Sequence, residues 1–248
     1  MKQIALITGA AGGIGAAIAT ELAKNGYDVA VNYLTSREKA LKLKSKLEQE
    51  YHVNVLAIKT DVSKEEEVDQ MVSLIEEKLG TVTALINNAA IDLSNLFALK
   101  NAEEFRKTLN VNVVGAYNCA KRVSEKMKEQ HYGRIINITS TNGINTYYPM
   151  SLDYDASKAA LISLTHNLAV QFAPDIHVNA IAPGFIGTQN ELEGYDEEFL
   201  KEEEEKILLK RYGQPQEVAY LTRFLLSQEA DYINNTIIRI DGGQIGSN

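Results

Sequence analysis

The sequence predicts an α/β protein built on a doubly wound parallel sheet with helices on both faces. Two observations carry that prediction. Seven short apolar runs alternate with longer segments of helical spacing, the rhythm that a parallel sheet with crossover helices requires. Most of the runs are bare β-branched stretches without polar alternation, as strands covered on both faces should be.

Run 3–8 is the expected first strand and feeds a glycine-rich turn and a helix over 13–25. Run 29–33 precedes a helix over 36–50. Run 53–60 precedes one over 64–79, where Ser63, with Glu66 three residues on, reads as the N-cap of a capping box. Run 84–87 leads to a long helix over 101–130, and run 134–139 to a small-residue helix over 154–173. Run 177–182 is followed by an acidic stretch and a helix over 215–228, and run 236–241 closes the sheet. Ligands of such sheets bind beyond the carboxyl ends of the strands, so the chemistry is expected there.

Composition narrows the classes of function. The 248 residues are 45% hydrophobic and 23% charged, which excludes a disordered tail, a collagen and a disulfide scaffold. No linker or internal repeat divides the chain, so one domain over 1–248 is expected. The net charge of −8 argues against a nucleic-acid partner. The single cysteine, Cys119, has no internal disulfide partner, which points to a reducing cytoplasm. No apolar stretch reaches the ~18 residues of a membrane span. Stretch 4–19 resembles a secretory signal superficially, but four glycines interrupt it and have another use. His52, His131, His166 and His177 have no partner pattern, no cluster has metal-ligand spacing, and no catalytic metal is expected.

That other use lies in Thr8-Gly9-Ala10-Ala11-Gly12-Gly13-Ile14-Gly15, between the first run and its helix. Glycines there let the backbone approach a phosphate, and the helix N-terminus offers unpaired N–H groups and partial positive charge. The spacing is G-x3-G-x-G, which is neither the G-x-G-x-x-G fingerprint nor a phosphate loop. Further on, Tyr154 and Lys158 stand four residues apart on one helical face. A phenol of pKa about 10 is a poor base at neutral pH. A neighbouring ammonium favours the phenolate and brings it toward working range. Ser140, just after run 134–139, can hydrogen-bond a carbonyl or hydroxyl oxygen.

With Asn87-Asn88-Ala89, Asn112, Pro183-Gly184 and Asp241-Gly242-Gly243, these motifs follow the order and approximate spacing of a known family. From Ile4 to Gly243 the chain resembles the short-chain dehydrogenase/reductases, most of all the 3-oxoacyl-acyl-carrier-protein reductase branch. The resemblance implies a single Rossmann-type domain of seven parallel strands that binds a nicotinamide cofactor. It implies an oxidoreductase that reduces a small-molecule ketone to a secondary alcohol by reversible hydride transfer, with 3-oxoacyl thioesters among the candidates. Sugar and polyol dehydrogenases are neighbours in the family. The reading from another class is a cofactor-sensing regulator, but such proteins generally lose the tyrosine or lysine that this chain keeps.

In the family's roles Tyr154 is the general acid/base, and Lys158 lowers its pKa and holds the nicotinamide ribose. Ser140 orients the substrate oxygen, and Asn112 keeps a water for the proton relay. The implied cofactor contacts are Gly9, Gly13, Ile14 and Gly15 in the turn, Asp61 and Val62 at the adenine, and Asn88 and Ala89 at the ribose side. Pro183, Gly184, Ile186 and Thr188 follow at the carboxamide and phosphate, with Tyr154 and Lys158 again. At the end of the second run Asn32 brings no charge to repel a 2′-phosphate, and Ser36 and Arg37 can donate to it, so NADP is expected over NAD. Against this, Gly12 stands where many NADP-preferring members have an arginine. The family also implies a homotetramer through helices 103–130 and 154–173, and Leu161, Leu164, Leu168 and Phe172 with Ala159 and Ala160 make the latter unusually apolar.

Three departures stand out. Ala90 replaces the glycine of Asn-Asn-Ala-Gly, Asn234-Asn235 replace Thr-Gly, and Ser140 and Tyr154 are fourteen apart, one more than usual, so a bulged 142–151 loop is expected. A substrate lid is expected over 187–212; between Glu191 and Glu205 it carries nine acidic residues against Lys201 alone. Exposed pairs Glu197–Lys201 and Glu202–Lys206 would make it a solvated helix face; otherwise its charge would slow anionic carriers and substrates. At positions where carrier-protein reductases present basic residues, the chain has His131 and Pro174-Asp175.

Overall fold

The structure is a computed structural model that describes residues 2–245; Met1 and the last three residues of the expected span lie outside them. Seven strands form one sheet: β1 (Ile4–Ile7), β2 (Asp28–Tyr33), β3 (Val55–Lys59), β4 (Ala84–Asn87), β5 (Gly133–Ile138), β6 (Ile176–Pro183) and β7 (Ile237–Ile240). All neighbours run parallel, in the order β3-β2-β1-β4-β5-β6-β7. The strand order reverses between β1 and β4, which opens a crevice beyond their carboxyl ends.

Each face of the sheet has its own core. In β1, Ala5 and Ile7 pack with Ile18 and Leu22 of α1 (Gly13–Lys24) and Leu47 of α2 (Arg37–Tyr51), while Ile4 and Leu6 face the other way. There they meet α3 (Glu65–Lys78) through Met71 and Ile75. The unbroken apolar runs follow from this, since every position of a central strand is covered. The edge strands differ: β3 and β7 are only partly buried.

Two local expectations fail. Ser63 does not cap α3; Lys64 is the N-cap and makes no side-chain capping bond. The Asp61 carboxylate instead accepts from the Ser63 N–H at 3.0 Å and its hydroxyl at 2.7 Å, and a short turn before the helix uses up the polar groups. The helix expected over 101–130 is two helices, α4 (Ala102–Leu109) and α5 (Gly115–Glu129), joined by a π-helical turn over Asn110–Val114. A π turn widens the helix and takes carbonyls out of the usual ladder, and such turns gather at functional sites.

α6 (Leu152–Phe172) buries Leu168 and Phe172 in the core on one face of the sheet, and Leu161 is buried as well. Those residues therefore do not form the surplus apolar face expected of them; Val170, at 72% exposure, is the large apolar side chain that α6 turns outward in its last turns. The 187–212 segment contains α7 (Gln189–Gly194) and α8 (Glu197–Glu205), and α9 (Pro215–Leu226) returns to pack on α1. Asn235 adopts a left-handed φ of 61°, which an asparagine tolerates well, and the Asn234 side chain accepts from the Val178 N–H at 2.9 Å. Thr-Gly is thus replaced by a pair suited to the same turn. No helix among the described residues is long and apolar enough to cross a membrane.

Candidate active site

The turn between β1 and α1 is held from behind. The Thr8 hydroxyl accepts from the Asn88 and Ala89 N–H groups at 2.9 and 3.0 Å, and the Asn88 amide donates to the Thr8 and Gly9 carbonyls at 2.9 and 3.1 Å. Two glycines are obligatory. Gly9 has φ +62°, and a Cβ there would lie 2.9 Å from the Ala89 Cα; one on Gly15 would lie 2.6 Å from the Asn88 amide and 2.8 Å from the Gly9 carbonyl. Ala90, in contrast, has no positive φ to accommodate, so the backbone at that position does not require a glycine.

At the start of α1, Gly12 offers no capping side chain and the first turn carries no acidic residue, so the N–H groups around Gly13, Ile14 and Gly15 are open. Thr188 stands across from Gly13, with its Cγ2 3.4 Å from where a Cβ would be. An uncapped helix end fronted by a turn without side chains is an anion cradle, and it fits the pyrophosphate of a dinucleotide. Asn32 is not free to face such a ligand. Its Oδ1 accepts from the Gly9 N–H at 3.1 Å, and its amide donates to the Thr60 carbonyl at 3.1 Å, tying β2 to the turn and to the end of β3. Ser36 caps nothing with its side chain and, like Arg37, is exposed at the open N-terminus of α2. The Asp61 carboxylate is engaged by Ser63, and Val62 is buried beneath Gly115.

The other half of the site lies where β5, β6 and α6 meet. A cavity of about 860 Å³ is lined by Ser140, Tyr154, Gly184 and Ile186, together with groups from the loops after β4 and β5 and from the 187–212 segment. The Lys158 Nζ donates to the Ile138 carbonyl at 2.9 Å and stands 5.3 Å from the centre of the Tyr154 ring. Burial lowers the Lys158 ammonium to a pKa of about 8. Burial likewise pushes the Tyr154 phenol above its ordinary value, the Asp92 and Glu191 carboxylates push it further, and the Ser140 hydroxyl beside it works the other way. The expectation of a depressed phenol is therefore not met in the protein alone. At neutral pH Tyr154 is protonated, the state of a proton donor.

Asn112 sits in the π turn and is buried. Its Oδ1 accepts from the Ile91 N–H at 2.8 Å; its amide donates to the Ile91 carbonyl at 3.0 Å and the Ser157 hydroxyl at 2.9 Å. Ser157 in turn donates to the Tyr154 carbonyl at 2.7 Å. The side chain therefore ties three elements together around Tyr154 and does not line the cavity.

Several groups at the site had no motif to betray them. Asp92 and Glu191 line the cavity, and the Ser151 hydroxyl donates to Asp92 at 2.9 Å. Asn142 joins the Ser140 hydroxyl to the Asp155 carboxylate, donating to the latter at 2.7 Å. Tyr148 from the expected bulge donates to the Glu203 carboxylate, which is buried and paired with Lys206 at 2.6 Å. Glu203–Lys206 is thus the ion pair α8 forms, in place of Glu202–Lys206. A buried pair, Lys100 and Asp153, stands directly before Tyr154, 2.7 Å apart and 4% and 0% exposed.

Comparison with known proteins agrees with this geometry. A family described as Enoyl-(Acyl carrier protein) reductase matches residues 9–244. A 3-oxoacyl-[acyl-carrier-protein] reductase of Staphylococcus epidermidis is 37% identical over 244 residues, covering 98% of this chain and 99% of that one. Nodulation protein G of Azospirillum brasilense is 37% identical over 246 residues, 98% of each chain. The crystal structure of an acetoin dehydrogenase from Salmonella typhimurium superposes with a TM-score of 0.87 at 32% identity, covering 98% of this chain and 97% of that one.

Proposed function

The chain belongs to the short-chain dehydrogenase/reductase family, a family of nicotinamide-dependent oxidoreductases, and from that premise we propose that it reduces a ketone to a secondary alcohol, with 3-oxoacyl thioesters as the first class to try. One observation carries the reading: a protonated Tyr154 phenol at the cavity wall, with Ser140 beside it and Lys158 behind it. Two hydroxyls that converge on one point suit a carbonyl oxygen, which accepts two hydrogen bonds. A carbon–carbon double bond accepts none.

Gly9, Gly13, Ile14 and Gly15 would hold the pyrophosphate at the α1 N-terminus, with Asn88, Ala89, Pro183, Gly184, Ile186 and Thr188 along the crevice and Asp61 and Val62 at its far end. When bound, the nicotinamide cofactor supplies the hydride. Ser140 orients the carbonyl oxygen, and Tyr154 gives it a proton as negative charge develops there. The Lys158 ammonium stabilises the phenolate left behind. Asn112 keeps the first turns of α6 in register, and any water it holds for the relay binds through the backbone that its π turn frees. NADP is preferred over NAD, because exposed Ser36 and Arg37 are donors for a 2′-phosphate and Asn32 is spent elsewhere. The oligomer is a homotetramer, supported by exposed Val114 and Tyr117 on the α5 side and Val170 on α6.

The test is oxidation of NADPH by the purified protein with a panel of ketones that includes 3-oxoacyl thioesters and small neutral diketones. Turnover of any of them supports an enzyme. Tight cofactor binding with no turnover across the panel would favour the sensing protein.

A further inference from the structure

The cavity contains no positive charge. Among the described residues that line it, two are carboxylic acids, Asp92 and Glu191, and none is a lysine, arginine or histidine. The Lys158 ammonium lies behind the Tyr154 ring and is committed to the Ile138 carbonyl. Neither Asp92 nor Glu191 has an ion-pair partner among the described residues, unlike the lid carboxylate Glu203, which Lys206 neutralises. The two come from different elements, the loop after β4 and helix α7, and converge on one space. Both act on the Tyr154 phenol, and Asp92 acts on Glu191, so their fields overlap where the reacting oxygen would sit. Beside them are aromatic faces. Tyr195 stacks on Phe199 at 4.5 Å between ring centres, Phe185 is tilted 6.3 Å from Tyr195, and all three rings line the cavity.

Carboxylates without counter-ions, next to aromatic rings in an open cavity, are the groups that recognise an alkylammonium ion. We propose that the pocket selects a carbonyl compound carrying an ammonium or quaternary ammonium group a few atoms from its ketone, with Asp92 and Glu191 reading the charge and Phe185, Tyr195 and Phe199 packing its alkyl groups. This rests on the ketone-reducing reading and narrows its substrate class. The catalytic step gains as well. When Tyr154 gives up its proton, the phenolate forms in the field of two carboxylates, and a bound cation offsets that repulsion at the moment it arises.

The test compares three 3-oxobutanoyl compounds with NADPH: the choline ester, the isosteric ester in which carbon replaces the nitrogen, and the free acid. Cation–π and ion-pair contacts of this kind predict a kcat/KM about tenfold higher for the choline ester than for its neutral isostere, with the free acid slowest. Asp92→Asn with Glu191→Gln should bring the ester ratio close to one. Glu197→Gln with Glu198→Gln, on the outer side of the lid, should leave it unchanged and so separate the pocket from the protein's overall charge. Equal turnover of the two esters, a faster free acid, or a ratio that survives the pocket substitutions would overturn the proposal. If neither these compounds nor any ketone of the wider panel is reduced, the ketone-reducing reading has failed. Calorimetric binding of the choline ester against its isostere then decides the pocket separately, and equal affinity overturns the proposal. Should the pocket variants not fold, the ratio in the unaltered protein must fall with added salt; a ratio indifferent to salt refutes the charge reading.

Discussion

Replacing Asp153 by asparagine should cost this protein far more stability than its size suggests. Asp153 is fully buried, accepts from the Lys100 ammonium at 2.7 Å and from the Thr108 hydroxyl at 2.7 Å, and Lys100 also donates to the Leu93 carbonyl. One carboxylate thus joins the loop after β4, helix α4 and the first turn of α6. Asp153→Asn keeps the shape but leaves the Lys100 ammonium, 4% exposed, without its counter-charge. Removing one partner of a buried pair costs about 3–5 kcal/mol. At roughly 2–4 °C per kcal/mol for a chain of this length, the melting temperature should drop by about 6–20 °C. The pair Lys100→Met with Asp153→Leu should recover much of that, because no charge then remains buried; the residual loss is the Thr108 hydroxyl, worth about 1–3 kcal/mol. Burial raises the Asp153 carboxyl, but the hydrogen bonds from Lys100 and Thr108 outweigh it and hold the carboxyl below the ordinary carboxylate range. A depressed acid stabilises the fold above its unfolded pKa and loses that contribution as pH falls through its folded one. The unaltered protein should therefore lose stability on acidification more steeply than Asp153→Asn. Thermal unfolding at fixed protein concentration, at neutral pH and in acid, measures both effects. A loss below about 1 kcal/mol for Asp153→Asn, or a double variant worse than the sum of its singles, would refute the reasoning.

Other outcomes follow from the same structure. Tyr154→Phe should keep the fold and lose about two to four orders of magnitude in turnover; more than half of the activity surviving would remove Tyr154 from the acid/base role. Arg37→Ala should raise KM for NADPH and leave that for NADH nearly unchanged, and equal changes would sink the 2′-phosphate contact. Gly15→Ala, whose Cβ would lie 2.6–2.9 Å from Asn88, Gly9 and Ala10, should weaken cofactor binding and stability together, read by calorimetry and melting temperature. Light scattering should give four times the chain mass at micromolar concentration; a monomer mass would rule out the tetramer.

The strands were legible because each central one is covered on both faces, so its whole run is apolar, as in Val29-Ala30-Val31. The glycine turn was legible for a related reason. At Gly9 and Gly15 no other residue fits, so close approach leaves a mark in the residue type itself. Tyr154, Lys158 and Ser140 were readable as a family pattern, and the structure puts Ser140 and Tyr154 on the cavity wall with Lys158 behind the Tyr154 ring. The break in 101–130 was not readable, since Asn110-Val111-Asn112-Val113-Val114 has neither proline nor glycine to announce it. The cap at Ser63 failed because Asp61, two residues earlier, competes for the same hydroxyl and N–H. The acidic 187–212 segment looked uniform in sequence, and folding sorted it: Glu203 turns inward to Lys206 and Tyr148, and Glu191 reaches the cavity.

What the sequence determined by itself is whatever depends on near neighbours: strand and helix rhythm, the turn that tolerates only glycine, the four-residue step from Tyr154 to Lys158. Tertiary structure alone decided the charges. A phenol four residues from a lysine in sequence reads as depressed, yet the folded site raises it, because burial strips water from the phenol and because Asp92, 62 residues before Tyr154, and Glu191, 37 after it, bring negative charge to it. Electrostatic energy depends on distance through space and on the surrounding medium, and neither is written in the order of the residues.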